Sequence, residues 1–337
     1  MALPQPKQFE PLPDHKKLPS ITRLAGRGIS DLSFLEKSLL FAELSRAAYF
    51  NRDIAGQLAE EVGLPEVRFY DRDGAQAYIF GGDEDAVVCC RGTEPHEWND
   101  IRADINALTD AAETIGRVHR GFKREVDDLW PRLEQALVSN ERTLWFTGHS
   151  LGGAMTAICA GRCYLSHIRS NPEAVFTFGA PRVGDKRYVN HVDLPYYRWV
   201  NNNDIVPRVP PRWMGYRHSG AEIYLNRRGR ISSVSGLFKA RDRWWGFVRT
   251  LRRWRIDHFS DHLMSEYLRA IRIAVEQEET GGTPKALLRL LEKAASRARP
   301  TAPSPAATAP AAPAPTPATD DAGLPHQTTP STGQQKV

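Results

Sequence analysis

Six residues, Gly148-His149-Ser150-Leu151-Gly152-Gly153, constrain the fold of this chain more than any other feature in it. They sit between a β-rich run, TLWFTGH, and a helical pattern, LGGAMTAICAGRCYL. A serine at a strand-to-helix turn, with glycine two positions to either side, marks a nucleophile held on a sharp bend. The reason is steric: the bend strains the backbone at the serine, and side chains at Gly148 and Gly152 would strike the neighbouring strand and helix. The same bend lifts the Ser150 hydroxyl clear of the sheet and aims the first amides of the helix at the reacting centre.

The rest of the chain supplies the sheet that such a turn needs. From Asp31 onward, Leu32, Leu35, Leu39, Leu40 and Leu44 recur at helical spacing. VRFYD, QAYIF and DAVVCCR then read as strands separated by Asp-Gly and Gly-Gly-Asp turns. After them GFKREVDDLW reads as helix, AVFTFG and YYRWVNN as strands. This alternation predicts the α/β class, a mainly parallel central sheet with helices on both faces.

At 337 residues and 41% apolar composition, one large core is expected. Residues 31–299 are assigned to that domain, 1–30 to a Pro-rich extension that wraps it or stays loose, and 300–337 to a disordered Pro/Ala/Thr-rich tail with almost nothing large to bury. Thr283 and Pro284 predict an N-cap and first helical residue for KALLRLLEKAASRAR. No secretory signal is visible and no apolar run reaches the ~18 residues of a spanning helix, so a soluble protein is expected. Cys89, Cys90, Cys159 and Cys163 form neither a disulfide framework nor a metal signature; buried thiols in a reducing compartment, the cytoplasm, are expected, and no metal or organic cofactor is called for.

A serine hydroxyl needs a general base, and the base needs an orienting carboxylate. With this kind of elbow the chain order is serine, acid, histidine. Asp204 follows the strand YYRWVNN in a loop stiffened by Pro207, Pro210 and Pro211, and is taken as the acid; Asp185 and Asp193 compete, and read better as turn or solvent residues. His262 opens a helical pattern through Met264, Tyr267, Leu268 and Ile271 and is the preferred base, with His258, earlier in the same segment, the alternative. The oxyanion needs two donors: the Leu151 amide, and Thr93, which Gly92 lets turn toward the site after DAVVCCR.

The formal charge of +5 is concentrated. Arg212 to Arg255 carry twelve Lys or Arg against Glu222 and Asp242, so this stretch alone is +10 and the remainder is acidic. Within a basic aromatic insertion at about 231–256, Leu237, Ala240, Trp244, Val248 and Leu251 fall on one side of a helix, with Arg241, Arg249, Arg252 and Arg253 largely elsewhere. Residues 237–256 are therefore a candidate contact with an anionic membrane, making the protein peripheral to it; a helix packed on the domain with solvated arginines is the equal alternative. No nucleic-acid motif accompanies the charge.

Taken in order, VVCCRGTEP, VHRGF, TGHSLGGAMTAI, FTFGAPRVGD and NNNDIVPRVPP followed by DHLMSEY resemble the class 3 lipases, the fungal-lipase-like branch of the α/β-hydrolase fold, over roughly Leu35 to Leu268. The resemblance implies Ser150 as nucleophile, Asp204 as acid, His262 as base, and Thr93 with Leu151 as the oxyanion hole. It also implies a lid between the first two motifs, here 94–117, where Trp98, Ile101, Ile105 and Leu108 lie at helix-like spacing among many charges. Such a polar cover has little apolar area to lay on oil, and weak interfacial activation is expected. The expected activity is hydrolysis of carboxylic esters of lipids, acylglycerols first and phospholipid at anionic membranes second. A catalytically silent scaffold of the same shape is the rival reading.

Overall fold

The computed structural model describes residues 21–295 except 73, 93–107, 114, 167, 169–170, 203, 227 and 233–262. Thr93, His258, His262, most of the 94–117 cover, the 237–256 segment, and residues 1–20 and 296–337 of the two termini lie outside the described residues. The chain divides into Met1–Arg299 and Pro300–Val337, and every described residue belongs to the first unit.

Helix α1 (Phe34–Ala47) starts at a reciprocal cap: the Glu36 N–H donates to Ser33 Oγ at 3.2 Å, and the Ser33 N–H to Glu36 Oε2 at 2.7 Å. After α2 (Arg52–Val62), which Asn51 caps and Gly63 ends at φ 104°, the chain makes a meander of β1 (Glu66–Arg72), β2 (Ala75–Gly81) and β3 (Asp85–Cys90). A short hairpin, β4 (Thr109–Ala111) with β5 (Arg117–His119), leads into α3 (Arg120–Leu137). Then come β6 (Thr143–His149), α4 (Leu151–Leu165), β7 (Pro172–Phe178), α5 (Lys186–His191), β8 (Tyr196–Asn201), β9 (Ala221–Leu225), α6 (Met264–Gly281) and α7 (Lys285–Ala295).

Seven strands form one sheet in the order β1-β2-β3-β6-β7-β8-β9. The first three are antiparallel, and from β3 to β9 every pairing is parallel. This is the expected α/β architecture. Its central strands alternate between two cores: Val87, Cys89, Trp145 and Phe176 face α1 and α6, while Val88, Cys90, Phe146 and Val175 face α3 and α4. The adjacent Cys89 and Cys90 therefore point to opposite faces. All four thiols are buried and unbridged, with Cys90 Sγ 4.0 Å from Cys159 Sγ.

Two details differ from the pattern-based expectation. Leu108, assigned to a helical stripe in the cover, is exposed and leads directly into β4; the hairpin turns near Gly116, at φ 82°, and the β-branched Thr109 pairs with His119. Thr283 does not head α7 as foreseen: its hydroxyl donates to Glu278 Oε1 at 2.6 Å, and the Leu288 N–H reaches the Pro284 carbonyl at 3.1 Å. At the other end, Leu24 and Ile29 are buried, and the Ile29 N–H donates to Asp85 Oδ2 at 2.7 Å, so the last third of the Pro-rich extension packs on the core.

Candidate active site

The elbow is built as its glycines require. Ser150 sits between β6 and α4 at φ 59° and ψ −131°, a conformation that only glycine adopts readily. Its N–H donates to the Phe178 carbonyl at 2.9 Å, and its own carbonyl accepts from Gly153 at 3.0 Å, so the turn is fastened to β7 on one side and to α4 on the other. A methyl at Gly148 would lie 2.6 Å from the Gly152 carbonyl oxygen and from Thr156 Oγ1. One at Gly152 would strike the backbone of Cys90, Arg91 and Gly92. The predicted collisions at both positions are thus present, and the second shows that the end of β3 lies against the first turn of α4.

That contact matters for the oxyanion. Gly92 is buried, and a side chain there would stand 2.7 Å from the His149 carbonyl. The chain leaving β3 therefore crosses the elbow itself, beside Leu151, the first residue of α4, whose amide points out of the helix start. Thr93, the next residue along, is outside the described set.

Asp204 lies three residues beyond β8 and is fully buried. Its N–H donates to the Asn201 carbonyl at 3.0 Å. Oδ1 accepts from the Val206 N–H at 2.9 Å, and Oδ2 accepts from the Tyr267 hydroxyl at 2.6 Å. The short helix Val206–Arg208 that follows holds Pro207 buried. Each carboxylate oxygen has a donor of its own, which is how a carboxylate without solvent is kept in place. Asp185 caps α5 by accepting from the Tyr188 N–H at 2.8 Å, and Asp193 is exposed; both are turn and solvent residues.

Two tyrosines that pattern reasoning counted only as apolar, or did not single out, join the site. Tyr267, on α6, also accepts the Asn201 N–H at 3.0 Å. The Tyr49 hydroxyl meets His149 Nδ1 at 2.8 Å, and the buried His149 ring lies edge-on to both Tyr49 and Tyr267, at 5.8 and 6.2 Å between centroids. His149 was visible in the Gly-His-Ser sequence, and its partners arise from tertiary contact alone.

A buried serine on a strained turn, with helix amides and an approaching strand end beside it, and a doubly hydrogen-bonded acid, make a site suited to nucleophilic acyl transfer. Residues 87–214 match the profile of the family described as Lipase (class 3), a span that includes Gly92, Ser150, Leu151 and Asp204. Over this span the chain is similar to the class 3 lipases. The chain is 34% identical over 119 residues to a lipase of Rhizopus niveus, a match covering 32% of this chain and 30% of the relative. The chain thus matches about a third of the length of the curated relatives. A solved Rhizomucor miehei triacylglyceride lipase is 25% identical with a TM-score of 0.52, covering 57% of this chain and 80% of that one. A solved triacylglycerol lipase whose catalytic centre is a serine protease triad is 26% identical with a TM-score of 0.50, covering 58% of this chain and 82% of that structure.

Proposed function

We propose that this chain is a class 3 lipase that hydrolyses carboxylic esters of lipids, acylglycerols first, through an acyl-serine intermediate. The observation that carries the reading is Ser150 at φ 59°, since strain of that kind, about 1–3 kcal/mol, is kept only where the surroundings enforce it and is concentrated at active sites.

In this reading His262, which directly precedes the described Leu263, is the base. Support comes from α6, which begins one residue after Leu263 and is tied to Asp204 through Tyr267. His262 takes the Ser150 proton, and the hydroxyl oxygen attacks the ester carbonyl. The Leu151 amide and Thr93 stabilise the oxyanion. The imidazolium, oriented by Asp204, protonates the leaving alcohol, and water repeats the sequence to release the acid. Neither metal nor organic cofactor enters these steps. Ser150 is fully buried. The cytoplasm is the location this reading assigns, in keeping with four buried thiols.

Rates over an ester chain-length series, for the full chain and for Ser150→Ala and His262→Ala, test the proposal. Hydrolysis that rises with lipid-like acyl chains and falls by about 10⁴-fold or more in both variants is expected. Activity retained in Ser150→Ala would leave the reading without its nucleophile.

A further inference from the structure

Downstream of the acid, the chain builds a surface that has no part in acyl transfer. The short helix Arg212–Met214 carries Trp213 at 84% exposure, with Met214 also exposed and Gly215 closing the turn at φ 92°. A tryptophan left in water contributes nothing to the core, and its apolar area is unfavourable there by ~25 cal/mol per Å². Leu108, likewise exposed, joins the same loop: its carbonyl accepts from the Tyr216 hydroxyl at 3.5 Å.

The turn is held stiff from beneath. The Arg182 guanidinium donates to the carbonyls of Arg208 and Pro210, and the Arg182 N–H to the Val209 carbonyl at 2.8 Å. Arg217 Nη1 donates to the carbonyls of Arg212 and Tyr216, each at 2.8 Å. An apolar side chain presented on a braced turn is ordered before any partner arrives, which lowers the entropy lost on docking.

The surroundings are mainly cationic. Arg198, Arg212 and Arg217 lie within electrostatic reach of Arg182, and Glu222 is a carboxylate that acts on Arg182 and Arg198. Burial, and then the neighbouring arginines, push the Arg182 guanidinium down to about 10. The buried Nη1 of Arg198 has no hydrogen-bond partner. Gathering cations together is unfavourable until an anionic surface arrives. An exposed tryptophan beside arginines is also the side-chain pairing that suits the boundary between headgroups and acyl chains.

We propose that the Arg212–Met214 turn docks this domain on an anionic bilayer, with Trp213 entering the headgroup boundary and Arg212 and Arg217 facing the lipid anions. The choice of a bilayer over another acidic partner rests on the ester-hydrolase reading. The turn is separate in sequence from residues 237–256.

The test is co-sedimentation of the full chain with vesicles of phosphatidylcholine alone and with about 30 mol% phosphatidylserine, at about 0.1 M salt. Wild type is expected to bind the anionic vesicles and not the neutral ones. Trp213→Ala is expected to weaken binding about tenfold and Arg212→Glu roughly ten- to thirtyfold, while Trp213→Phe stays within about threefold. All three should cleave a short soluble ester at the wild-type rate. Wild-type binding by Trp213→Ala, or equal binding to neutral vesicles, overturns the docking surface. A chain that binds vesicles in this pattern yet cleaves no ester overturns the hydrolase reading and leaves the docking result intact.

Discussion

The Tyr267 hydroxyl donates to Asp204 Oδ2 at 2.6 Å while accepting the Asn201 N–H at 3.0 Å, and so ties α6 to the loop that carries the acid. Removing the hydroxyl would leave a buried carboxylate oxygen short of a donor and a buried amide short of an acceptor. A hydrogen bond to a charged group contributes about 1.5–3 kcal/mol. Tyr267→Phe should therefore lower stability by about 2 kcal/mol and kcat by about tenfold, with KM nearly unchanged because substrate does not touch this group. Urea unfolding alongside steady-state rates reads both, and a variant indistinguishable from wild type would mean the bond positions nothing.

Backbone strain at Ser150 makes a second expectation. Both Ser150→Ala and Ser150→Gly lose the proposed nucleophile, but only glycine accepts φ 59° and ψ −131° without strain. The glycine variant should melt higher than the alanine variant, by a difference equivalent to about 1 kcal/mol. Equal melting temperatures for the two would show that the turn carries no strain.

Gly152→Ala should be among the most damaging single substitutions outside the proposed triad. The added methyl meets the backbone of Cys90, Arg91 and Gly92, none of which can rotate away as a flexible side chain would. A loss of about 3 kcal/mol or more is expected, with ester hydrolysis lost as the β3 end is pushed off the elbow. An active, stable Gly152→Ala protein would contradict the contact between the two segments.

The alternation of helices and strands, the elbow and the loop of Asp204 were all legible in the sequence, because each rests on local chemistry: turn residues between the three meander strands, glycines at 148 and 152, an acid directly after a strand. Other parts were not. Helix α2 is short and buries two alanines with only Leu58 and Val62, so its periodic signal is weak even with Asn51 and Gly63 at its ends. Strand β9 is five residues long inside a stretch whose charge dominates any reading of it. Tyr267 looked like one more apolar residue of a helix, because spacing reports which face is buried but not what a hydroxyl 63 residues from Asp204 will meet.

His119 sets a dependence on pH. Burial pushes its imidazole down from 6.5 to about 4, and its Nδ1 accepts the Phe122 N–H at 3.4 Å, which requires the neutral form. Between these values the unfolded chain binds a proton that the folded one refuses, so stability falls as pH drops from 6.5 toward about 4 and is unaffected by this group above that window. The loss is about 1.4 kcal/mol per unit at most. His119→Asn keeps an N-cap acceptor without a titrating group, and should reduce the difference in unfolding free energy between pH 7 and pH 5. His218, also pushed down by burial and by Arg198 and Arg182, should preserve part of the slope. An unaltered difference in His119→Asn would assign the whole effect elsewhere.

Labelling with a fluorophosphonate, followed by peptide mass spectrometry, addresses the nucleophile most directly. One adduct per chain, on the peptide containing Ser150 and absent from Ser150→Ala, is the predicted result. No adduct in folded protein that has been given access to the probe, or an adduct on another serine that persists in Ser150→Ala, would contradict an acyl-serine mechanism at this elbow.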